Sequence, residues 1–311
     1  MAEILIAGAA GFIGSHLCDR LIGEGHNIIG VDNFISSDGS NIKHLEGNKS
    51  FRFIEKNISD GIDYTDKLDY IMNMASPASP VDYANHPLET LKVGSYGTHA
   101  CLELAREKKA VFLMASTSEI YGDPEISPQP EGYWGNVNTV GPRSCYDEAK
   151  RFSEALTHTY QVEGWADTRI LRTFNTFGSR MRLKDGRAVP NFIIQALNGE
   201  PITVYGDGSQ TRSFCYVDDQ VDGIIKLLFS SVTSPVNIGN PKEMTILEMA
   251  EKIRDTLGSK SEIVMKPLPG DDPKQRRPDI TKAKELLGWE PKWSLEDGLE
   301  KTIEFFRKAL A

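Results

Sequence analysis

Cysteine is scarce: four residues in 311 (Cys18, Cys101, Cys145 and Cys215), dispersed and without a Cys-x-x-Cys pair. That excludes a disulfide scaffold and a thiolate metal centre, and fits small buried side chains in a reducing compartment. Histidine is nearly as sparse at six. None of His16, His86, His99 or His158 stands at ligand spacing, so no metal is expected. No apolar run reaches the roughly 18 residues of a membrane span, and no signal-peptide pattern precedes the first predicted strand. The expectation is a soluble, cytoplasmic protein. Positive charge is in deficit, with a net charge of -9. This argues against a general binder of nucleic acid or anionic membrane, though local basic clusters remain free to hold an anionic small molecule.

What is present is ordinary globular stock, 40% hydrophobic and 25% charged, with length enough for one large domain or two intimate ones. Ile4-Leu5-Ile6-Ala7 is short, apolar and closed by glycine, the pattern of a strand buried on both faces. Further strands are predicted over 27–31, 70–74, 111–115 and 168–171, with helices over 15–23, 90–108 and 146–162. Alternating β and α elements imply a doubly wound parallel sheet of Rossmann type. After about Asn175 the texture changes to loops rich in Gly and Arg between short helices, over 190–198, 245–257 and 295–308. Residues 1–175 are therefore expected to form the Rossmann domain, and 176–311 a smaller α/β substrate-binding domain. A segment near 212–240, including Asn237-Ile238-Gly239, is expected to return to the first domain.

Gly8, Gly11 and Gly14 follow the first strand and open the first helix. Glycine there permits a tight turn and lets backbone N–H groups approach a pyrophosphate at the positive helix end, with Phe12 and Ile13 between. Asp32 closes the second strand, where a carboxylate accepts both ribose hydroxyls and repels a 2′-phosphate. NAD is thus the expected cofactor, with Asn33 and Phe34 flanking the adenosine and Asn57 and Ile58 beside the adenine.

Tyr146 and Lys150 lie one helical turn apart. Alone, Tyr-x-x-x-Lys is common by chance; beside a nicotinamide it is a base for alcohol oxidation. A phenol titrates near 10, about three units too high for neutral pH, so roughly 4 kcal/mol of preferential phenolate stabilisation is required. A neighbouring Lys and a nicotinamide cation are expected to supply it.

These residues, with the segments 75–80, 115–124, 133–138, 141–151, 174–178, 205–212 and 276–280, resemble the extended short-chain dehydrogenase/reductases acting on nucleotide sugars, and within them the UDP-glucuronate decarboxylases. The resemblance runs from Ile4 to about Phe306. It implies that Tyr146 deprotonates the sugar C4 hydroxyl, that Thr117 bonds the same oxygen, and that Lys150 also holds the nicotinamide ribose. Carbon dioxide then leaves the 4-keto sugar, and Glu119 or a water it holds returns a proton to C5. Asn175, Arg212 and Arg276 are assigned to the diphosphate, with Arg180 and Arg277 as weaker candidates. Asn191, Phe192 and Tyr205 are placed near the uracil, and Ser79 and Ser118 at the sugar carboxylate. Glu119 could instead be structural, and each Arg a surface ion pair.

Two positions depart from the pattern: Gly94 where the family usually has Asn, and Asn57 where it usually has Asp. Three other activities stay open. A UDP-glucuronate 4-epimerase would carry a small hydroxyl residue at 119. A 4,6-dehydratase would carry Asp at 118, as the acid that protonates a leaving hydroxyl. An NAD-binding scaffold would need none of Thr117, Glu119, Tyr146 and Lys150. The helices over 90–108 and 146–162 correspond to those that pair subunits into a four-helix bundle, so a homodimer is expected.

Overall fold

The computed structural model describes residues 1–268 and 270–310. Seven strands form one parallel sheet: β1 (Glu3–Ala7), β2 (Asn27–Asp32), β3 (Phe51–Glu55), β4 (Tyr70–Asn73), β5 (Val111–Thr117), β6 (Thr168–Thr173) and β7 (Val236–Ile238). Their order is β7-β6-β5-β4-β1-β2-β3. The chain winds outward in one direction from β1 and in the other from β4, so a crevice opens beyond the carboxyl ends of these two strands.

Burial on both faces explains the apolar strand sequences. Ile4 and Ile6 enter one core with Leu17 and Leu21, while Leu5 and Ala7 enter the other with Leu102 and Phe112. Each fully buried Leu or Ile contributes about 1.5–3 kcal/mol. Helix α1 (Phe12–Gly23) packs on β1 and β2, and the helix Val217–Leu228 packs on α1 and β7. On the other face lie α2 (Pro80–Asn85), α3 (Pro87–Lys92), α4 (Thr98–Lys108) and α5 (Ser144–Val162).

The helix expected over 90–108 runs without a break but changes its winding part way. A π-helical turn, Val93–Gly97, separates α3 from α4. The turn is packed tightly: a Cβ on Gly94 would lie 2.7 Å from the Ala149 Cβ and 2.8 Å from the Ala149 carbonyl oxygen. Glycine lets this turn press against α5 at the residue before Lys150, and Ser153 Oγ bonds the carbonyls of both Gly94 (2.6 Å) and Ala149 (2.8 Å).

The later segment carries small sheets of its own. Ile202–Tyr205 pairs in parallel with Ile263–Lys266, and Thr211–Ser213 pairs with both Glu243–Thr245 and Gln275–Arg276. The returning segment therefore starts later than expected: residues 211–213 stay in the three-stranded sheet, and the return runs through Val217–Leu228 into β7. The register of that small sheet sets Arg212 opposite Arg276.

Candidate active site

A cavity of about 890 Å³ runs along the crevice, near the upper end of the usual size for small-molecule sites. Gly8, Gly11, Phe12, Ile13 and Gly14 line one end of it. Gly8 has φ +82°, and a Cβ there would stand 2.8 Å from the Ala75 nitrogen, so only glycine closes this turn. Asp32 stands at the end of β2, its Oδ2 accepting from the Ala10 N–H at 3.0 Å and its Oδ1 from the Phe34 N–H at 2.9 Å. Burial raises its carboxyl above the usual range, against these backbone bonds. A glycine cradle at a helix N-terminus with a carboxylate one strand away fits a dinucleotide.

The residues expected around the adenosine are also held by contacts within the protein. Phe34 turns onto Phe53, with centroids 5.2 Å apart, and Asn33 is exposed. Asn57 Oδ1 accepts from the Ser59 N–H at 3.0 Å and caps a short turn, while Ile58 is core, packed under the π turn. None of these four lines the cavity; Ser36, Ser37 and Asn41 do. Polar residues in a loop carry too little pattern to have been singled out.

Tyr146, Lys150 and Thr117 meet at the middle of the cavity. Lys150 is buried, its Nζ donating to the Ala115 carbonyl at 2.8 Å and lying 5.9 Å from the Tyr146 ring centroid. Burial lowers the ammonium to about 8. Burial, then the Glu119 charge, raises the Tyr146 phenol, while the Thr117 hydroxyl bonded to it and Arg187 act in the opposite direction. In the protein alone the phenol is raised, because desolvation outweighs the nearby cations; the expected lowering by Lys150 is for the site with a nicotinamide cation beside it. Arg187, locked to Asp185 with Nη2 2.7 Å from Oδ2, was not singled out from sequence.

Beyond β5, Thr117 Oγ1 accepts the Glu119 N–H at 3.3 Å and caps the turn Ser118–Tyr121, which aims Glu119 into the cavity. Its carboxylate is gripped by two guanidiniums, Arg276 (Nη1 to Oε1, 2.6 Å) and Arg143. Burial alone would raise Glu119; the two Arg residues outweigh it and hold the carboxyl well below the usual range. Arg276 also donates to Ser118 Oγ at 3.0 Å and to the Gly122 carbonyl at 2.9 Å. The fork of Arg276, expected at the diphosphate, is engaged within the protein at Ser118 and Glu119. Arg143 lies within the segment 141–151 that carries the family resemblance, which implies no role for it. Asp147, next to Tyr146, is buried with Oδ1 unpaired, and burial together with the Glu119 charge raises it.

The other expected substrate residues, Ser79, Asn175, Asn191, Phe192, Tyr205 and Arg212, all line the same cavity. Arg212 is buried and pairs with Asp272 (Nη2 to Oδ2, 3.1 Å). Ser79 caps α2 and donates to Asp82 Oδ2 at 2.8 Å, and Asp82 pairs in turn with Arg182. Arg180 lines the cavity and pairs with Asp19, whereas Arg277 points elsewhere, its Nε donating to the Pro241 carbonyl at 3.0 Å. Gly94 leaves the cavity intact, because it faces Ala149.

The family model described as GDP-mannose 4,6 dehydratase matches residues 5–302. UDP-glucuronic acid decarboxylase 1 of Danio rerio is 51% identical over 308 residues, covering 99% of this chain and 73% of that one. UDP-glucuronic acid decarboxylase 4 of Arabidopsis thaliana is 48% identical over 306 residues, covering 98% and 69%. Among solved structures, UDP-glucose 4-epimerase of Thermotoga maritima with UDP-glucose is similar at TM-score 0.92 and 32% identity, over 99% of this chain and 100% of that one. UDP-glucuronic acid 4-epimerase of Bacillus cereus in complex with UDP-glucuronic acid and NAD is similar at TM-score 0.87 and 29% identity, over 99% of each.

Proposed function

Because this chain belongs to the extended short-chain dehydrogenase/reductases that act on nucleotide sugars, the family its GDP-mannose 4,6 dehydratase match identifies, we propose that it converts UDP-glucuronate to UDP-xylose and carbon dioxide with NAD and no net redox change. The observation that carries this reading is Ser118 and the Arg276 guanidinium set beside Glu119, on the cavity wall shared with Tyr146. A hydroxyl and a guanidinium are a natural seat for the sugar carboxylate.

The Gly8–Gly14 cradle, Asp32 and Lys150 would hold NAD, which would supply an acceptor for the C4 hydride and the source of its return. Tyr146 takes the C4 hydroxyl proton while Thr117 bonds the same oxygen. The resulting 4-keto sugar is a β-keto acid. Its C5–C6 bond electrons pass into a C4–C5 enolate as carbon dioxide leaves, a departure that needs no general acid, and Ser118 is not one. Glu119 is ionised while both Arg residues serve it. A substrate carboxylate drawing on Arg276 would weaken that hold and raise Glu119, so that it takes up a solvent proton before carbon dioxide departs, the proton that it or a bound water then gives to C5. Tyr146 then reprotonates the C4 oxygen. Arg212 and Asn175 are suited to the diphosphate, and Asn191, Phe192 and Tyr205 to the base.

A 4-epimerase is the nearest rival, given the structural likeness to epimerases. Glu119 and two relatives at about half identity favour the lyase. A proton NMR time course with UDP-glucuronate and NAD decides. UDP-xylose with matching carbon dioxide supports the proposal; UDP-galacturonate without carbon dioxide replaces it with epimerisation.

We further propose a homodimer through α3–α5. Its support is the apolar exposure on these helices: Leu88, Leu91, Phe152 and Val162, with Tyr96 on the π turn. Light scattering giving a single chain mass at micromolar concentration would overturn it.

A further inference from the structure

Tyr83, on α2, stacks on Tyr146: the ring centroids are 5.4 Å apart and the planes 15° from parallel. It is 5% exposed and lines the cavity beside the phenol. The Arg143 guanidinium lies 5.9 Å from the Tyr83 ring centroid, within cation–π range, and the same guanidinium pairs with Glu119. Its backbone is held as well. The Ser79 cap and the Asp82–Arg182 pair fix α2 immediately before Tyr83, and Cys145 Sγ donates to the Tyr83 carbonyl at 3.7 Å. Tyr83 thus bridges the phenol and the cation that neutralises Glu119, although 63 residues separate it from Tyr146 in sequence.

We propose that Tyr83 is a positioning residue for the reaction, its ring fixing the plane of the Tyr146 phenol and linking it through Arg143 to Glu119. The inference rests on the decarboxylase reading only for the reaction that reports it. A Tyr side chain turns about two bonds, and the phenol oxygen sits at the end of the lever. A flat ring packed on it restricts both rotations and excludes water from that side. The hydroxyl of Tyr83 is not needed for this, so phenylalanine should replace it and a branched aliphatic residue should not.

The test compares Tyr83→Leu and Tyr83→Phe in the NAD-loaded protein, following reduction of bound NAD in a single turnover across pH. Thr117, Glu119, Asp147, Lys150 and Arg187 face the phenol, and Arg143 reaches it through the Tyr83 ring, a link that Tyr83→Phe keeps and Tyr83→Leu removes. With Tyr83→Leu, the rate at saturating UDP-glucuronate is expected to fall about 10- to 100-fold, the scale of an active-site misplacement. Its KM should stay within about twofold, and the apparent pKa of the step should drop as water reaches the phenol. Tyr83→Phe should restore rate and profile. Parental behaviour in Tyr83→Leu, or equal damage in both variants, overturns the proposal. If the parent itself does not reduce its NAD, the decarboxylase reading has failed instead. Ultraviolet titration of the phenols, with and without Tyr146→Phe, then decides alone: Tyr146 must ionise at lower pH in the Leu background than in the parent.

Discussion

Arg276 Nη1 and Glu119 Oε1 face each other at 2.6 Å inside the cavity wall, joining residues 157 positions apart. A buried guanidinium bonded at once to a carboxylate, a hydroxyl and a carbonyl has little freedom, so the pair fixes where charge can stand in the site.

Removing Arg276 leaves the buried Glu119 carboxylate with Arg143 alone. Arg276→Met is expected to cost at most about 3–5 kcal/mol, the range for breaking a buried pair outright, read from urea midpoints. The double variant Arg276→Met/Glu119→Gln should recover part of that loss. A double variant as unstable as the sum of its parts would show that the two residues are not energetically coupled.

Tyr146→Phe keeps the ring and its stack but removes the proton acceptor. Turnover of UDP-glucuronate should fall by about 10²–10⁴-fold, the usual worth of a general base, with NAD still bound on purification. Undiminished turnover would place the base elsewhere.

Gly94→Ala sets a methyl 2.7 Å from the Ala149 Cβ and 2.8 Å from its carbonyl. Overpacking of this kind costs about 1–3 kcal/mol. Thermal unfolding should show the loss, and adding Ala149→Gly should return part of it by removing one of the two contacts. No change in Tm would mean that the π turn can slide along α5.

His16 sets a pH limit on stability. Burial, chiefly, lowers its imidazole to about 4, its Nε2 lying 3.1 Å from the Ser179 carbonyl oxygen. The unfolded chain takes up that proton at about 6.5 and the folded one only near 4, so the unfolded state binds more protons between them. Stability is therefore full above about 6.5 and falls as pH drops through this window, by at most about 3 kcal/mol. His16→Gln should flatten that part of the urea-midpoint curve; an unaltered slope would assign the acid loss to carboxylates.

The central sheet was legible because β1, β2, β4, β5 and β6 are buried on both faces, and that burial writes continuous apolar runs. Strand β3, Phe51-Arg52-Phe53-Ile54-Glu55, was passed over because edge position leaves charges among its apolar residues. Gly8, Asp32, Tyr146 and Lys150 were found through local spacing along one element. The Arg143–Glu119–Arg276 cluster and the Tyr83 stack were not, because they join elements distant in sequence and leave no periodic trace. Gly94 was noticed as a departure, but only its contact with Ala149 says what it does. Phe34 and Ile58 also pack against protein, on Phe53 and under the π turn, a role that spacing near a predicted binding loop does not show.

Strand β7 closes the large sheet against β6, and Asn237 within it accepts the Tyr121 hydroxyl at 2.8 Å and donates to the Gln129 carbonyl at 2.9 Å. The nucleotide-binding half therefore has no finished border until residue 238 has been made. A ribosome that has released only the first 175 residues holds a sheet whose β6 flank is an unpaired row of N–H and C=O groups, ready to template a neighbour. Fragments cut at the apparent domain boundary should precipitate, and swapping the two halves between relatives should succeed only when the crossover leaves β7 with the β6 it was selected beside.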